Sequence, residues 1–175
     1  MKKSLIALAV LGASGVAMAQ SSVTLYGVAD AGVGKIEAGA PAGNDATDKT
    51  QFISGSLMNN GNSRIGVRGV EDLGGGLKAG FNFESGLALD QGDNLGVGGG
   101  FWGRAANLWL GGNWGTFKMG RTLNPTFYGV ATWELTGTAN YSAVGNQFGF
   151  AGGPSRNNNQ IKYTTPNMGG LTVNL

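Results

Sequence analysis

Apolar and polar residues alternate with a period of two along much of the chain, in segments of about ten residues separated by turn residues. The stretch NSRIGVRGVEDLGGGLKAGFNFESG, residues 62–86, shows this alternation on both sides of three consecutive glycines. Its charged residues fall on one face, and most of its apolar residues fall on the other. The pattern predicts antiparallel β-strands that have one polar and one apolar face.

The same alternation predicts strands elsewhere in the chain. The predicted strands are residues 23–35, 63–70, 77–87, 104–114, 116–121, 160–165 and 171–175. Arg121 breaks the alternation of its own segment, and a bulge at Gly120 would turn its side chain to the other face. Beyond residue 19 no stretch is apolar enough to be a transmembrane helix.

The connections between these strands alternate between short and long. The short connections are residues 72–76, 112–115 and 166–170, and the long ones are residues 37–62, 90–100 and 123–159. Transmembrane barrels sort loop length by end in this way, whereas a soluble sandwich has no reason to do so. We therefore predict an all-β, antiparallel transmembrane β-barrel. Its apolar face, with Val67, Phe81 and Phe83, contacts lipid, and its charged face lines water.

The N-terminal residues MKKSLIALAVLGASGVAMA are typical of a secretory signal peptide that is cleaved after Ala19. A membrane anchor is the weaker interpretation, because the apolar run is shorter than the roughly 20 residues that span a bilayer. Residues 1–19 are thus predicted to be the signal, and residues 20–175 a barrel domain. Without Lys2 and Lys3, the 12 Lys and Arg residues fall to the number of Asp and Glu residues, which is 10. The basic pI therefore does not indicate a nucleic-acid partner.

The composition excludes several chemistries. The chain has no Cys and no His, so it cannot supply a disulfide or a Ser–His or Cys–His nucleophile pair. The glycine-rich residues 74–80 lack the spacing of a phosphate-binding loop and have strands on both sides. We expect no bound cofactor, no metal and no enzymatic activity. An outer-membrane barrel enzyme of the lipase type and an adhesive or structural β-barrel remain as alternatives.

Four stretches carry a family resemblance: SSVTLYGVADAG (residues 21–32), SRIGVRGVEDLGGGLKAGFNFESG (residues 63–86), GTFKMGR (residues 115–121) and, more loosely, IKYTTPNMGGL (residues 161–171). Together they resemble the general porins of the Gram-negative outer membrane, in their beta-proteobacterial form. The resemblance implies a trimeric barrel of about 16 strands, of which this chain would supply about seven, at the N-terminal end. It also implies contact with the lipid bilayer and passive diffusion of small hydrophilic solutes and inorganic ions, with anions preferred.

In this family the third long connection, here residues 123–159, folds inward and narrows the channel. The resemblance and the strand alternation together imply a basic cluster at the constriction, formed by Arg64, Arg68, Lys78, Arg121 and Lys162. The same reasoning makes Glu134 the opposing acid on the loop. Other residues expected to face the lumen are Tyr26, Asp30, Asn82 and Glu84, and Asp30 is also placed to pair with a neighbouring wall cation. Without the resemblance, a charged face that is simply solvated would be an equally good interpretation.

Overall fold

The computed structural model describes residues 21–36, 47–94, 100–147 and 155–175. The predicted signal peptide and its cleavage site lie outside these residues. The strands are β1 (Ser22–Val28), β2 (Ala31–Ile36), β3 (Thr47–Ser54), β4 (Arg64–Gly74), β5 (Leu77–Gly86), β6 (Ala105–Gly112), β7 (Gly115–Leu123) and β8 (Arg156–Thr164). Two short helices, α1 (Pro125–Ala131) and α2 (Ala143–Gln147), lie between β7 and β8.

Six strands form one antiparallel sheet in the order β1-β4-β5-β6-β7-β8, and β2 pairs with β3 in a separate antiparallel ribbon. Apart from the step from β1 to β4, neighbours in the sheet are neighbours in sequence, as in a barrel wall. The predicted antiparallel β fold is confirmed. Within the described part of the chain, neither helix has the length and hydropathy needed to cross a bilayer.

The strand register sorts side chains onto two faces. Leu25, Val67, Phe83 and Ala106 are successive cross-strand partners and therefore share one face. A second row on the same face contains Leu108, Met119 and Ile161. Leu108 of β6 pairs with Met119 of β7, which in turn pairs with Ile161 of β8. Thr24, Arg68, Asn82 and Asn107 form the corresponding row on the opposite face.

The apolar face of this sheet is not covered by protein. Leu25 and Ile161 are each 69% exposed, and Leu108 and Met119 are also exposed. The buried hydrophobic residues of the described chain are small or peripheral: Ile53, Ala88, Ala105 and Ala139. The sheet therefore does not enclose a hydrophobic core between two protein layers. This arrangement fits a barrel wall and does not fit a sandwich.

The predicted strand 23–35 is wrong in one respect, because the chain breaks at residues 29–30 into β1 and β2. Asp30 causes the break: its backbone N–H donates to the Ser63 hydroxyl at 2.8 Å, and its carboxylate binds the segment that follows β3. β3 lies inside the stretch 37–62 that was predicted to be a loop. The described residues therefore contain eight strands, where about seven were predicted.

Two details near the end of the sheet follow from local geometry. The predicted bulge at Gly120 is confirmed, since the β7–β8 register shifts between Gly120 and Thr122 and the φ angle of Gly120 is 117°. A Cβ atom there would lie 2.3 Å from the Ala106 carbonyl oxygen, so the position requires glycine. The predicted last strand, 171–175, forms only isolated bridges, one of them between Thr164 and Asn174.

Candidate functional site: a cation-lined cavity

A cavity of about 860 Å³ lies between the polar face of the sheet and the connection from β7 to β8. We call the described part of this connection, residues 124–147, the inner loop. Asn124 caps helix α1 by accepting a hydrogen bond from the Phe127 N–H at 2.9 Å, and a proline follows at the first helical position. The inner loop thus begins as a short, well-defined helix that faces the cavity through Phe127 and Tyr128.

The cavity has an excess of positive charge. Its lining side chains include four cations, which are Arg64, Arg104, Lys118 and Arg156. Glu84 is the one acid among the described residues that line it. The lining therefore carries three unbalanced positive charges, although the chain as a whole is close to neutral once the predicted signal is removed.

Glu84 links Arg104 and Tyr26, which come from different parts of the polar face. Arg104 donates from Nε to Glu84 Oε1 at 2.7 Å, and both side chains are largely shielded, at 12% and 15% exposure. The Tyr26 hydroxyl lies 2.7 Å from Glu84 Oε2 and 2.9 Å from Asn82 Oδ1, so its single proton serves one acceptor at a time. The Arg68 guanidinium lies 5.2 Å from the centre of the Tyr26 ring. Four of the predicted residues, Tyr26, Arg68, Asn82 and Glu84, are thereby brought together.

Backbone carbonyls hold two of the arginines at the entrance to β6. Arg156 Nε donates to the Arg104 carbonyl at 2.9 Å, and Arg121 Nε donates to the Gly103 carbonyl at 2.6 Å. Arg121 also donates to Asn158 Oδ1 at 2.7 Å and does not itself line the cavity. Arg64 lines the cavity and donates to the carbonyl of the nearby Asn62 at 3.1 Å. These bonds fix the positions of the guanidinium groups.

Two lysines face each other across β7 and β8. Lys118 and Lys162 are direct cross-strand partners, so they lie on the same face of the sheet. Lys162 is 6% exposed, because helix α1 covers it, and its ammonium lies 4.7 Å from the centre of the Tyr128 ring. Lys118 lines the cavity, whereas Lys162 lies beneath the inner loop and contacts the Tyr128 ring of α1.

Glu134 is not found in its expected role as the acid that opposes the cations. Its carboxylate is turned into the inner loop, where the Thr136 hydroxyl at 2.7 Å, the Thr138 N–H at 2.6 Å and the Ser142 hydroxyl at 2.8 Å donate to it. These hydrogen bonds lower the pKa of Glu134 to about 2, and the bond from the Thr136 hydroxyl makes the largest contribution. Glu134 is 8% exposed and does not line the cavity. Its carboxylate is therefore held by hydrogen bonds within the inner loop.

Asp30 and Lys78 also lie away from the cavity. The Asp30 carboxylate accepts from Asn59 Nδ2 at 3.1 Å and from the Gly61 N–H at 2.8 Å. The Asp30 carboxylate thus binds polar groups of the segment that follows β3. The predicted pairing of Asp30 with a cation of the wall is not among these contacts. Lys78 is exposed opposite Asp72, at the turn between β4 and β5.

Three lining cations, Arg104, Lys118 and Arg156, were not predicted. Lys118 could have been found, since it alternates with Phe117 and Met119 along β7 and so must lie on the polar face. Arg104 begins the predicted strand 104–114, where its parity with Ala106 would assign it to the apolar face, but it lies immediately before β6 and lines the cavity. Arg156 is the first residue of β8, where alternation gives no signal. The sequence also placed Arg156 within the long connection.

The comparison with known families agrees with this geometry. The model of the Gram-negative porin family matches residues 4–175. The chain belongs to this family. The porin chain is 42% identical to the outer membrane porin protein 32 of Delftia acidovorans, over 99% of this chain and 48% of that protein. It is 33% identical to the major outer membrane protein P.IB of Neisseria gonorrhoeae, over 98% of this chain and 47% of that protein.

A solved structure gives the same result. The anion-selective porin from Comamonas acidovorans superimposes with a TM-score of 0.65 at 34% sequence identity, covering 87% of this chain and 45% of that one. The chain thus spans about half the length of the porins it matches. The family and the β-barrel fold predicted from the sequence are confirmed.

Proposed function

We propose that this chain forms part of the wall of an outer-membrane porin, a water-filled channel through which small hydrophilic solutes diffuse passively and anions are preferred. The observation that carries the proposal is the lining of the cavity, where four cations accompany a single acid among the described residues. The names of the similar proteins support it, since they include outer membrane porins and an anion-selective porin.

The physical basis of the preference is local and does not depend on the net charge of the chain. Fixed cations in a narrow space with low-dielectric walls raise the local concentration of anions, because the field is screened less there than at an open surface. Hydrogen bonds to backbone carbonyls hold Arg64 and Arg156 in place, so their charge does not simply swing away into solvent. We propose that Arg68, Arg121 and Lys162 add to this potential from positions beside or behind the lining.

The exposed apolar face supports the membrane part of the proposal. Its large side chains would be costly to leave in water, whereas lipid covers them at no such cost. A signal peptide cleaved after Ala19 and assembly into a homotrimer belong to the same proposal. N-terminal sequencing of the mature protein tests the cleavage site, and native mass spectrometry in detergent tests the trimer.

Liposome swelling tests the channel itself. The protein expressed from its complete gene is reconstituted, and swelling rates are compared for neutral, anionic and cationic solutes of matched size. We expect rates that fall with solute size and that are higher for anions than for cations. Arg64→Gln with Arg156→Gln should reduce the anion advantage, whereas the matched control Lys78→Gln should keep it. Liposomes that do not swell, or that favour cations, would contradict the proposal.

A further inference from the structure

The second half of the inner loop is joined to the segment between β3 and β4 by Asn140 and Tyr141. The Asn140 N–H donates to the Asn60 carbonyl at 3.1 Å. The side-chain Nδ2 of Asn140 lies 3.1 Å from both the Ser56 carbonyl and Asn62 Oδ1, and the Tyr141 hydroxyl donates to Asn60 Oδ1 at 3.2 Å. The side-chain partners are 78 to 84 residues apart in sequence, so these bonds are tertiary contacts.

The receiving segment is itself well anchored. The Asp30 carboxylate accepts from Asn59 Nδ2 and from the Gly61 N–H, and the Ser63 hydroxyl donates to the Asp30 carbonyl at 2.9 Å. Asn59 and Ser63 are both almost fully buried. Because Asp30 lies at the junction of β1 and β2, the segment is attached to the wall and offers Asn140 a fixed docking point.

Hydrogen bonds within the inner loop join Asn140 to the residues on either side of it. Glu134 collects donors from both flanks of Asn140, among them the Thr138 N–H and the Ser142 hydroxyl. Asn146 Nδ2 donates to the Asn140 carbonyl at 2.8 Å. A displacement of Asn140 therefore moves this half of the loop as a unit.

The first half of the inner loop has a separate support. Tyr128 of α1 lies over Lys162, and Asn124 caps the start of the helix. Loss of the Asn140 contacts therefore releases the second half of the loop while α1 stays seated on the wall.

We propose that Asn140 is the positioning residue that sets how far the inner loop extends across the channel. The inference rests on the proposed function, since it treats the cavity as part of a conducting path. Thr138, Ala139 and Asn140 line the cavity together with the cations, so the docked loop narrows the space in which those charges act. A released loop gives a wider and fluctuating path, in which the cations select less strongly.

A redox-controlled tether tests this within one preparation. Residues 1–175 contain no Cys, so within them Asn60→Cys with Asn140→Cys introduces a single pair of thiols. A backbone hydrogen bond of 3.1 Å joins these two residues, so we expect the thiols to form a disulfide on oxidation, which needs Cα atoms roughly 4.4–6.8 Å apart. We expect the oxidised channel to be quiet and anion-selective. On reduction, conductance and open-channel noise should rise and the reversal potential in a salt gradient should move toward zero.

Asn140→Ala gives the same comparison without a covalent bond. Loss of two side-chain hydrogen bonds should raise the undocked population by roughly tenfold, which appears as a matching rise in the frequency of noise events. The control is Asn157→Ala, whose side chain is exposed in β8. If the Asn140 variant does not fold, the oxidised and reduced states of the Cys pair decide the question.

Two failures can be told apart. A wild-type protein that forms no anion-preferring channel would overturn the proposed function and this inference with it. A normal wild-type channel in which the Cys pair shows no redox difference and Asn140→Ala matches Asn157→Ala would overturn the positioning role alone.

Discussion

Replacing Glu84 by Gln should strengthen anion selectivity while it weakens the fold. The change keeps the size and an acceptor oxygen for Arg104, but it raises the unbalanced charge of the cavity lining from three to four. Selectivity and stability therefore move in opposite directions, which a general loss of structure does not produce.

The size of the effect follows from Coulomb's law. For an ion about 8 Å from the removed charge, the interaction is about 0.5 kcal/mol at the dielectric constant of water and about 2 kcal/mol at an effective value near 20. The lower figure already corresponds to about a twofold change in relative permeability. Loss of the charged hydrogen bond between Glu84 and Arg104 should cost about 1–2 kcal/mol of stability.

Planar-bilayer recording in a KCl gradient measures the permeability ratio, and the unfolding temperature in detergent measures stability. The recording is made at low ionic strength, because at about 0.1 M the Debye length of about 10 Å already screens part of the effect. Glu71→Gln is the matched control, since Glu71 is exposed on β4 and outside the cavity. An anion-to-cation ratio that stays constant or falls in Glu84→Gln would refute the reasoning.

Two further predictions concern the loop and the sheet. Because the pKa of Glu134 is lowered to about 2, its hydrogen bonds stabilise the loop fully above an ordinary pKa of about 4.3 and are lost as the pH falls toward 2. Open-channel noise should therefore be constant from neutral pH to about 4.5 and rise below it, and constant noise down to about pH 2 would contradict this role. Gly120→Ala should destabilise the barrel by about 1–3 kcal/mol because of its positive φ and the nearby carbonyl, as measured by thermal loss of the β-sheet circular dichroism signal. Gly32→Ala, where an added Cβ meets nothing within 4 Å, is the control, and equal stability of the two variants would be inconsistent with a bulge that needs glycine.

The wall was predictable because its faces are set by parity. In β4 and β5 the side chains of Val67 and Phe83 must lie on one face and those of Arg68 and Glu84 on the other, whatever the rest of the chain does. The same rule puts Lys118 of β7 on the polar face, opposite Phe117 and Met119, although Lys118 is not among the predicted site residues. The break at Asp30 was not predictable in this way, because it depends on hydrogen bonds to residues about 30 positions later in the chain.

The candidate site was predicted less well for two physical reasons. Alternation is a poor guide at strand ends: Arg156 lies in a predicted connection and is assigned no face, and Arg104 is assigned by parity to the face of Ala106 although it lines the cavity. Hydrogen bonds to the Arg104 carbonyl and to Glu84 hold the guanidinium groups of Arg156 and Arg104 in place. In the inner loop, the sequence shows that Glu134 is acidic but does not show where its carboxylate points. Donors from three nearby residues, Thr136, Thr138 and Ser142, bind that carboxylate inside the loop, so it does not oppose the cations.

The central claim is that the cations lining the cavity make the channel prefer anions, and the reversal potential in a KCl gradient tests it most directly. We predict an anion-selective reversal potential for the wild-type protein expressed from its complete gene. In Arg64→Gln with Arg156→Gln the potential should shift toward the cation side, while Lys78→Gln should leave it unchanged. A cation-selective wild type, or a double variant that matches Lys78→Gln, would contradict the account.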